Sequence, residues 1–414
     1  MRASRFVAFA LALSSALSVG VAKASPQDLF GFGARASGMA NTGVAFADTW
    51  ESVYLNPAGL ARARRKSVVF GVVLGGYDLN LDGERFAAEP ITSTTIGAVL
   101  PLPFGGVLEN RLALGVGFYT PTNIMIAGSI GLPDAPQFLV LNRAQSSAIN
   151  VSLGFDFHDW IDGLRVGGGV SALGSFAGSV VAGIDATGRF GSTVETQVLA
   201  SFAPIFGAQY DHRDFSFGLV YRGRIESRFE FNVVATDLPL EVPRITIGGL
   251  AQYDPDQVGA EVAWRPLPEL QLALGATYKL WSDYPGPTTR TSASSDDPPP
   301  VNFHDTLTPR VAGEYTVTRR NVSVAFRLGY AYDPTPAPRA RAEARYLDGD
   351  RHTLFGGFGL EVRFTERLHL TLDGFAQASV MPSRTHDAPQ AGRTTNMVTD
   401  GALFVGGWQA GLTW

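Results

Sequence analysis

There is no cysteine among the 414 residues. Disulfides, zinc–thiolate sites and thiol nucleophiles are therefore excluded. Charge is also scarce, with Asp, Glu, Lys and Arg making up 17% of the chain. A disordered chain needs high charge and few apolar groups, whereas 45% of this one is hydrophobic. Long apolar runs are missing too. A helical membrane span needs ~20 consecutive apolar residues, and the one stretch near that length, Phe6–Ala22, stands at the very start. The mean hydropathy of +0.07 agrees. The six histidines (158, 212, 304, 352, 369, 386) are scattered, with no HExxH and no pair at metal-ligand spacing. No metal and no cofactor is expected.

What is present begins with a leader. Arg2 and Arg5 precede the apolar, small-residue stretch, and Ala22-Lys-Ala24 offers a cleavage site before Ser25. Residues 1–24 are expected to be a signal peptide. They carry Arg2, Arg5 and Lys23 and no acid, so their removal takes the net charge from −5 to −8. The mature chain is mildly acidic and gives no support for nucleic-acid binding, which wants a basic face.

The mature chain alternates with period 2 over and over. In Val322–Tyr332 one face carries Val322, Val324, Phe326, Leu328, Tyr330 and Tyr332, the other Ser323, Ala325, Arg327, Gly329 and Ala331. Successive strand side chains point to opposite faces, so each such segment has one greasy side and one polar or small side. Fourteen segments read this way: 66–80, 94–104, 111–120, 146–157, 164–178, 195–210, 215–231, 245–264, 270–282, 306–316, 322–332, 352–364, 368–379 and 402–414. Tyr253-Asp-Pro-Asp256 interrupts one of them, as a turn or a bulge would.

The links alternate as well. Long connections (81–93, 121–145, 179–194, 232–244, 283–305, 333–351, 380–400) take turns with short ones (105–110, 158–163, 211–214, 265–269, 317–321, 365–367). That is the signature of an outer-membrane barrel, whose short turns face the periplasm and long loops the exterior. Hydrocarbon offers no partner to a backbone N–H or C=O, so a spanning sheet must close on itself. The expected fold is an all-β transmembrane antiparallel barrel of fourteen strands over 66–414, in the outer membrane of a Gram-negative bacterium. The chain ends on alternating Trp408, Ala410, Leu412 and Trp414, which looks like the terminal signal that barrel-assembly machinery reads.

Residues 25–65 do not alternate. They are rich in Gly, Ala and small polar residues, suited to a compact plug inside a narrow lumen, and inward glycines at 154, 167, 169, 218, 275, 357 and 359 leave room for one. Here the chain resembles the FadL/TodX outer-membrane transporters of long-chain fatty acids and hydrophobic compounds. The resemblance rests on Gly33-Ala-Arg-Ala-Ser-Gly-Met39, Ala45-Phe-Ala-Asp48 and Asn56-Pro-Ala-Gly-Leu60. Weaker echoes follow at Tyr119-Thr-Pro121, Tyr221-Arg222, Trp281-Ser282, Arg327–Pro336 and Asp350-Arg351. Departures are the terminal Trp, the stretch around Pro255 and the proline-rich Asp296–Pro300. The resemblance implies that Gly33, Arg35, Gly38, Met39, Asn56, Pro57 and Ala58 belong to the plug.

Several motifs have plainer readings. Asn56-Pro57-Ala58 is read as a plug turn in which Asn caps and Pro fixes φ. Gly31-Phe-Gly33 with Gly38 follows no strand and opens no βαβ unit, so it is not a dinucleotide loop. Lumen charges of mixed sign read as ion-pair networks between wall and plug. His369 with Asp373 is the single candidate for catalysis, and a hydrogen-bond network is the better account, so the protein is not expected to be an enzyme. The link 121–145 is unusually apolar, with Ile124, Met125, Ile126, Ile130, Leu132, Phe138, Leu139 and Leu141. It is either a loop folded greasy side inward on the rim or a groove that first captures substrate.

The function expected is passive uptake of long-chain fatty acids or other hydrophobic molecules by a monomer whose other partner is outer-membrane lipid. The alternative is a plugged general-diffusion porin or a structural barrel. Direct release into water is costly for such a ligand, and release sideways into lipid avoids it. Strand 3, Arg111–Thr120, carries Gly115 and Gly117 inward and leads into the apolar loop. Glycine permits kinks, and the resemblance points to the same segment as a lateral gate; the other reading is that these glycines make room for the plug.

Overall fold

The structure, a computed structural model, describes residues 23–24, 26–122, 137–143, 147–184, 190–236, 245–286, 301–340, 346–387 and 396–414. Most of the expected leader, and the loop residues Ile124, Met125, Ile126, Ile130 and Leu132, lie outside the described residues.

The alternating segments form sixteen main strands. In chain order they are β1 Ser67–Leu81, β2 Ile91–Pro101, β3 Leu112–Pro121, β4 Ala148–Asp156, β5 Leu164–Ile184, β6 Phe190–His212, β7 Phe215–Arg222 and β8 Ile225–Thr236. Then come β9 Ile245–Asp254, β10 Gln257–Leu267, β11 Leu270–Lys279, β12 Thr306–Arg319, β13 Val322–Asp333, β14 Arg351–Arg363, β15 His369–His386 and β16 Met397–Thr413. All but β8 and β9 pair antiparallel in chain order to make a fourteen-stranded ring. The ring closes between β1 and β16, from Ser67 opposite Thr413 to Leu81 opposite Thr399. Lys66 and Trp414 exchange two backbone hydrogen bonds at the seam, of 3.1 and 2.9 Å.

The alternation has the expected sense. On β13, Phe326, Leu328 and Tyr330 face outward, while Ser323, Ala325, Arg327 and Ala331 are buried inside. The same holds on β7, where Phe215, Phe217 and Leu219 face out. At the short-turn end the loops are tight. Gly163, at φ 78°, is held there because a Cβ would lie 2.2 Å from the Asp211 carbonyl oxygen.

Two expected strands need correction. The segments 215–231 and 245–264 are each half wall and half hairpin. The wall strand β7 ends at Arg222 and pairs directly with β10, Arg222 standing opposite Gln257. Between them β8 and β9 pair with each other, and β8 runs parallel to the upper part of β5, Phe229 opposite Phe176 through Thr236 opposite Gly183. The cause is local. The Gly223 N–H donates to the Pro204 carbonyl (2.8 Å), and Pro204 has no N–H to return, so the β6–β7 ladder stops. Asp256 Oδ1 accepts from the Tyr221 hydroxyl (2.6 Å) and the Arg224 N–H (3.2 Å), clamping departure to return. The interruption at Tyr253–Asp256 is the point of return. The count of fourteen stands because each segment contributes one wall strand.

Leu328 is 69% exposed on the outward face of the isolated chain. Replacing it by Lys puts a charge into hydrocarbon, which costs ~2–4 kcal/mol near the bilayer midplane. The expected outcome is a lower denaturant midpoint for unfolding from lipid bilayers, while Ala325→Ser, on the inward face, leaves it within ~1 kcal/mol.

Candidate functional site

Inside the ring lies the N-terminal segment. It is built from short pieces, α1 Pro26–Phe30, α2 Ala34–Ser37, α3 Ser52–Leu55 and the 3-10 turn Pro57–Arg62. Helices this short are not stable by themselves, so the wall holds them. Gly33 turns the chain at φ 91°, where a Cβ would sit 2.2 Å from Glu51 Oε1. That approach lets Glu51 accept from the Arg35 and Ala36 N–H groups, at 3.1 Å each, and cap α2.

The wall contributes polar anchors from around the ring. Glu261 on β10 accepts from the Gly43 and Ala45 N–H groups at 3.0–3.1 Å. Gln209 on β6 donates to the Val44 and Ala47 carbonyls, Ser152 on β4 to Val53, and Gln377 on β15 to Leu29. Gln409 on β16 accepts from the Ala34 N–H. Arg35 joins the wall through Glu314 (2.7 Å), which also holds Arg327 (2.6 Å), which in turn holds Asp373 (2.6 Å). Asp28 meets Lys279 at 2.9 Å and Arg222 at 3.8 Å. Burial alone would raise its carboxyl, but these cations hold it well below the usual range.

Asn56 is the most connected of these groups. It is fully buried. Its Oδ1 accepts from the Ala58 N–H (3.1 Å) and caps the turn that Pro57 opens. Its Nδ2 donates to Val44 (2.7 Å) and to Ala208 and Leu219 on β6 and β7 (3.0 and 3.3 Å). The expected plug residues thus come together: Gly38 meets Gly357, Met39 and Ala40 pack at Gly329, and Pro57 and Ala58 press on Gly167.

Gly115 and Gly117 face the N-terminal segment. β3 pairs with β2 from Ala113 to Pro121 and with β4 from Leu112 to Tyr119. A Cβ at Gly115 would meet Val53 and Leu60 at 2.4 and 2.6 Å, and one at Gly117 would meet Phe32 and Val53 at 2.5 and 2.8 Å. The wall has no standing opening here. These glycines are vacant because the N-terminal segment occupies the space. His369 and Asp373 are also kept apart, His369 bonding Glu361 at 2.7 Å while Asp373 serves Arg327.

The long-loop end is roofed by two apolar clusters. One gathers Leu29 and Phe30 of α1 with Val73, Tyr77, Phe138 and Met397. The other gathers Leu139 with Tyr253, Trp281, Phe303 and Tyr346, and Tyr284 stacks on Phe303 with ring centres 4.6 Å apart. Phe138 and Leu139 are adjacent and buried, one in each cluster, and Leu141 packs against the first. These three loop residues fold inward. The aromatic group went unseen in the sequence because its members come from four separate connections. At the other end a polar crevice of about 300 Å³ opens between Arg35, Thr49 and the wall residues Ser323, Thr371 and Thr413.

Two outcomes follow. Asn56→Ala removes one donor each from the Val44, Ala208 and Leu219 carbonyls, of which Val44 keeps Gln209, at ~0.5–1.5 kcal/mol for each bond lost. The expected result is faster proteolysis within residues 26–65, with the denaturant midpoint of the barrel unchanged. His386 lies in the extension of β15 above the outward Val380, where Nδ1 accepts from the Ala340 N–H (3.1 Å) and Nε2 meets Thr399 (2.9 Å). Burial, helped by Arg384, pushes its imidazole down to about 4. The unfolded chain takes up this proton near pH 6.5, so the contribution of His386 is present above that pH and is lost as pH falls through about 4. The thermal midpoint is expected to drop between pH 7.5 and 4.5, and to drop less in His386→Gln.

The sequence profile described as outer membrane protein transport protein (OMPP1/FadL/TodX) matches residues 15–405. No curated protein sequence matches the chain. Among solved structures, a Pseudomonas aeruginosa FadL homologue is 17% identical with a TM-score of 0.63, over 95% of this chain and 99% of that one. The Pseudomonas putida toluene transporter TodX is 12% identical with a TM-score of 0.56, over 93% and 99%. The Ralstonia pickettii toluene transporter TbuX is 16% identical with a TM-score of 0.54, over 92% and 98%. At such identities the structures speak for the fold alone, whereas the profile spans nearly the whole sequence: this chain belongs to the OMPP1/FadL/TodX family of outer-membrane transport proteins.

Proposed function

We propose that the barrel takes up hydrophobic small molecules, long-chain fatty acids or aromatic hydrocarbons, across the outer membrane without an energy source. The observation that carries this reading is the mouth: two buried apolar clusters, joined through Phe138 and Leu139, lie over a lumen filled by the N-terminal segment. A channel for polar solutes needs neither. A greasy mouth concentrates a ligand by removing its apolar surface from water, at ~25 cal/mol per Å². For a long acyl chain, with ~0.8 kcal/mol for each buried CH₂, this binds without a strong polar partner. In this reading residues 26–65 act as a plug, the apolar loop captures, and Phe138, Leu139 and Leu141 form its inner edge.

Release sideways into lipid remains the economical route for a molecule that water rejects. With β3 paired on both sides, an exit at Gly115 and Gly117 requires β3 to part from a neighbour and Phe32, Val53 and Leu60 to withdraw. A plugged general-diffusion porin is the alternative, and large ohmic conductance in planar bilayers would favour it.

The test is uptake of labelled oleate and toluene by cells with and without the protein. Faster uptake of at least one compound is expected, and equal rates for both compounds would sink the reading. Gly115→Val with Gly117→Val is expected to push the N-terminal segment aside, since the added methyls claim its space. The readout is increased ion conductance in a barrel that still assembles. Unchanged conductance with blocked uptake would instead restore β3 as a gate.

A further inference from the structure

Charge is spread unevenly around the short-turn rim. From β3 to β7 the cations are mostly matched: Arg111 pairs with Asp159, Arg64 with Asp156, and both Arg62 and Arg165 with Asp211, with Arg213 of the β6–β7 turn the exception. From β10 round to β1 they are not. Arg265 lies near the end of β10, Arg319 ends β12 and Arg320 follows it in the β12–β13 turn, Arg367 lies in the β14–β15 turn, and Arg65 and Lys66 stand at the foot of β1. All six are exposed. Arg265 bonds the amide of Gln271 and Arg65 touches His369, but none of the six has a carboxylate in ion-pair range among the described residues. The acids of this arc are few. Glu361 is taken by Arg363 and His369, which leaves Glu269 and Glu366, with Asp214 of the β6–β7 turn beside Arg265.

These turns are neighbours in space, because each joins consecutive strands of the ring and strands lie ~4.8 Å apart. Exposed apolar side chains stand beside the cations at the same height: Leu267 near Arg265, Phe364 and Leu368 beside Arg367, and Trp414 next to Lys66. An outward apolar group next to an uncommitted cation offers an acyl chain and a phosphate what each requires. An acidic protein docking from the periplasm would use the cations and leave the outward apolar groups idle.

We propose that this arc, from the β10–β11 turn to the foot of β1, is a binding site for anionic phospholipid of the periplasmic leaflet, with Arg265, Arg319, Arg320 and Arg367 on the phosphates. It orients the barrel in its bilayer by one side. The proposal rests on the barrel's place in a membrane and not on which compound passes through it.

The test uses the full mature protein in neutral detergent with phosphatidylglycerol or phosphatidylcholine, read by native mass spectrometry. Phosphatidylglycerol is expected to be retained in preference. The triple variant Arg319→Gln, Arg320→Gln, Arg367→Gln is expected to bind it about a hundredfold more weakly, with an unchanged far-ultraviolet spectrum. Arg85→Gln, an exposed arginine at the opposite end, serves as the control and keeps full retention. Equal retention of the two lipids, or retention undiminished in the triple variant, overturns the proposal. Capture of a soluble polyglutamate chain without any lipid preference overturns it in favour of an acidic protein partner.

Discussion

Hydrocarbon has no hydrogen bonds to give, and everything else in this molecule follows from that. The strands must close, so β1 has to find β16, and the chain's two wall ends meet at Lys66 and Trp414. Closure fixes which side chains meet lipid. It leaves the inner face free, and the inner face is spent on the N-terminal segment: small residues where it presses close, as at Gly207 against Asn56 and Gly97 against Trp50, and polar ones where its backbone needs partners.

Those polar anchors are part of how the N-terminal segment is held. Residues 26–65 are held partly by area, with Phe32, Trp50, Val53 and Leu60 packed on Val69, Val99 and Tyr119 of the wall. Glu261, Gln209, Asn56 and Gln409 add discrete hydrogen bonds, each worth ~0.5–1.5 kcal/mol net. Such bonds exchange for water one at a time. The two ends of the lumen differ accordingly, with packed aromatic and aliphatic groups at the mouth and a polar crevice towards the periplasm.

Much of this was legible in the sequence, because period 2 and the alternation of long and short links are local. Fourteen wall strands, their facing and the small-residue N-terminal segment could all be read. The departure at Gly223 could not. The hairpin continues the alternation of β7 in phase, and what ends the wall is Pro204, on another strand. The partners of Asn56 were equally hidden, since Ala208 and Leu219 are neighbours only after closure. Gly115 and Gly117 show a deeper ambiguity. A missing side chain signals freedom to bend and room for a neighbour alike, and the contacts of Val53 and Phe32 with this space are formed only in the fold.

The hairpin of β8 and β9 has a consequence for how such a protein changes over time. Wall register passes straight from Arg222 to Gln257, so the ring does not count the residues between them. Its closure, tilt and lipid-facing band are indifferent to the length and composition of 223–256. The hairpin is thus a cassette inserted in a finished wall. Its length and sequence are free to drift or be exchanged wholesale, while the part that must survive insertion into a membrane stays untouched.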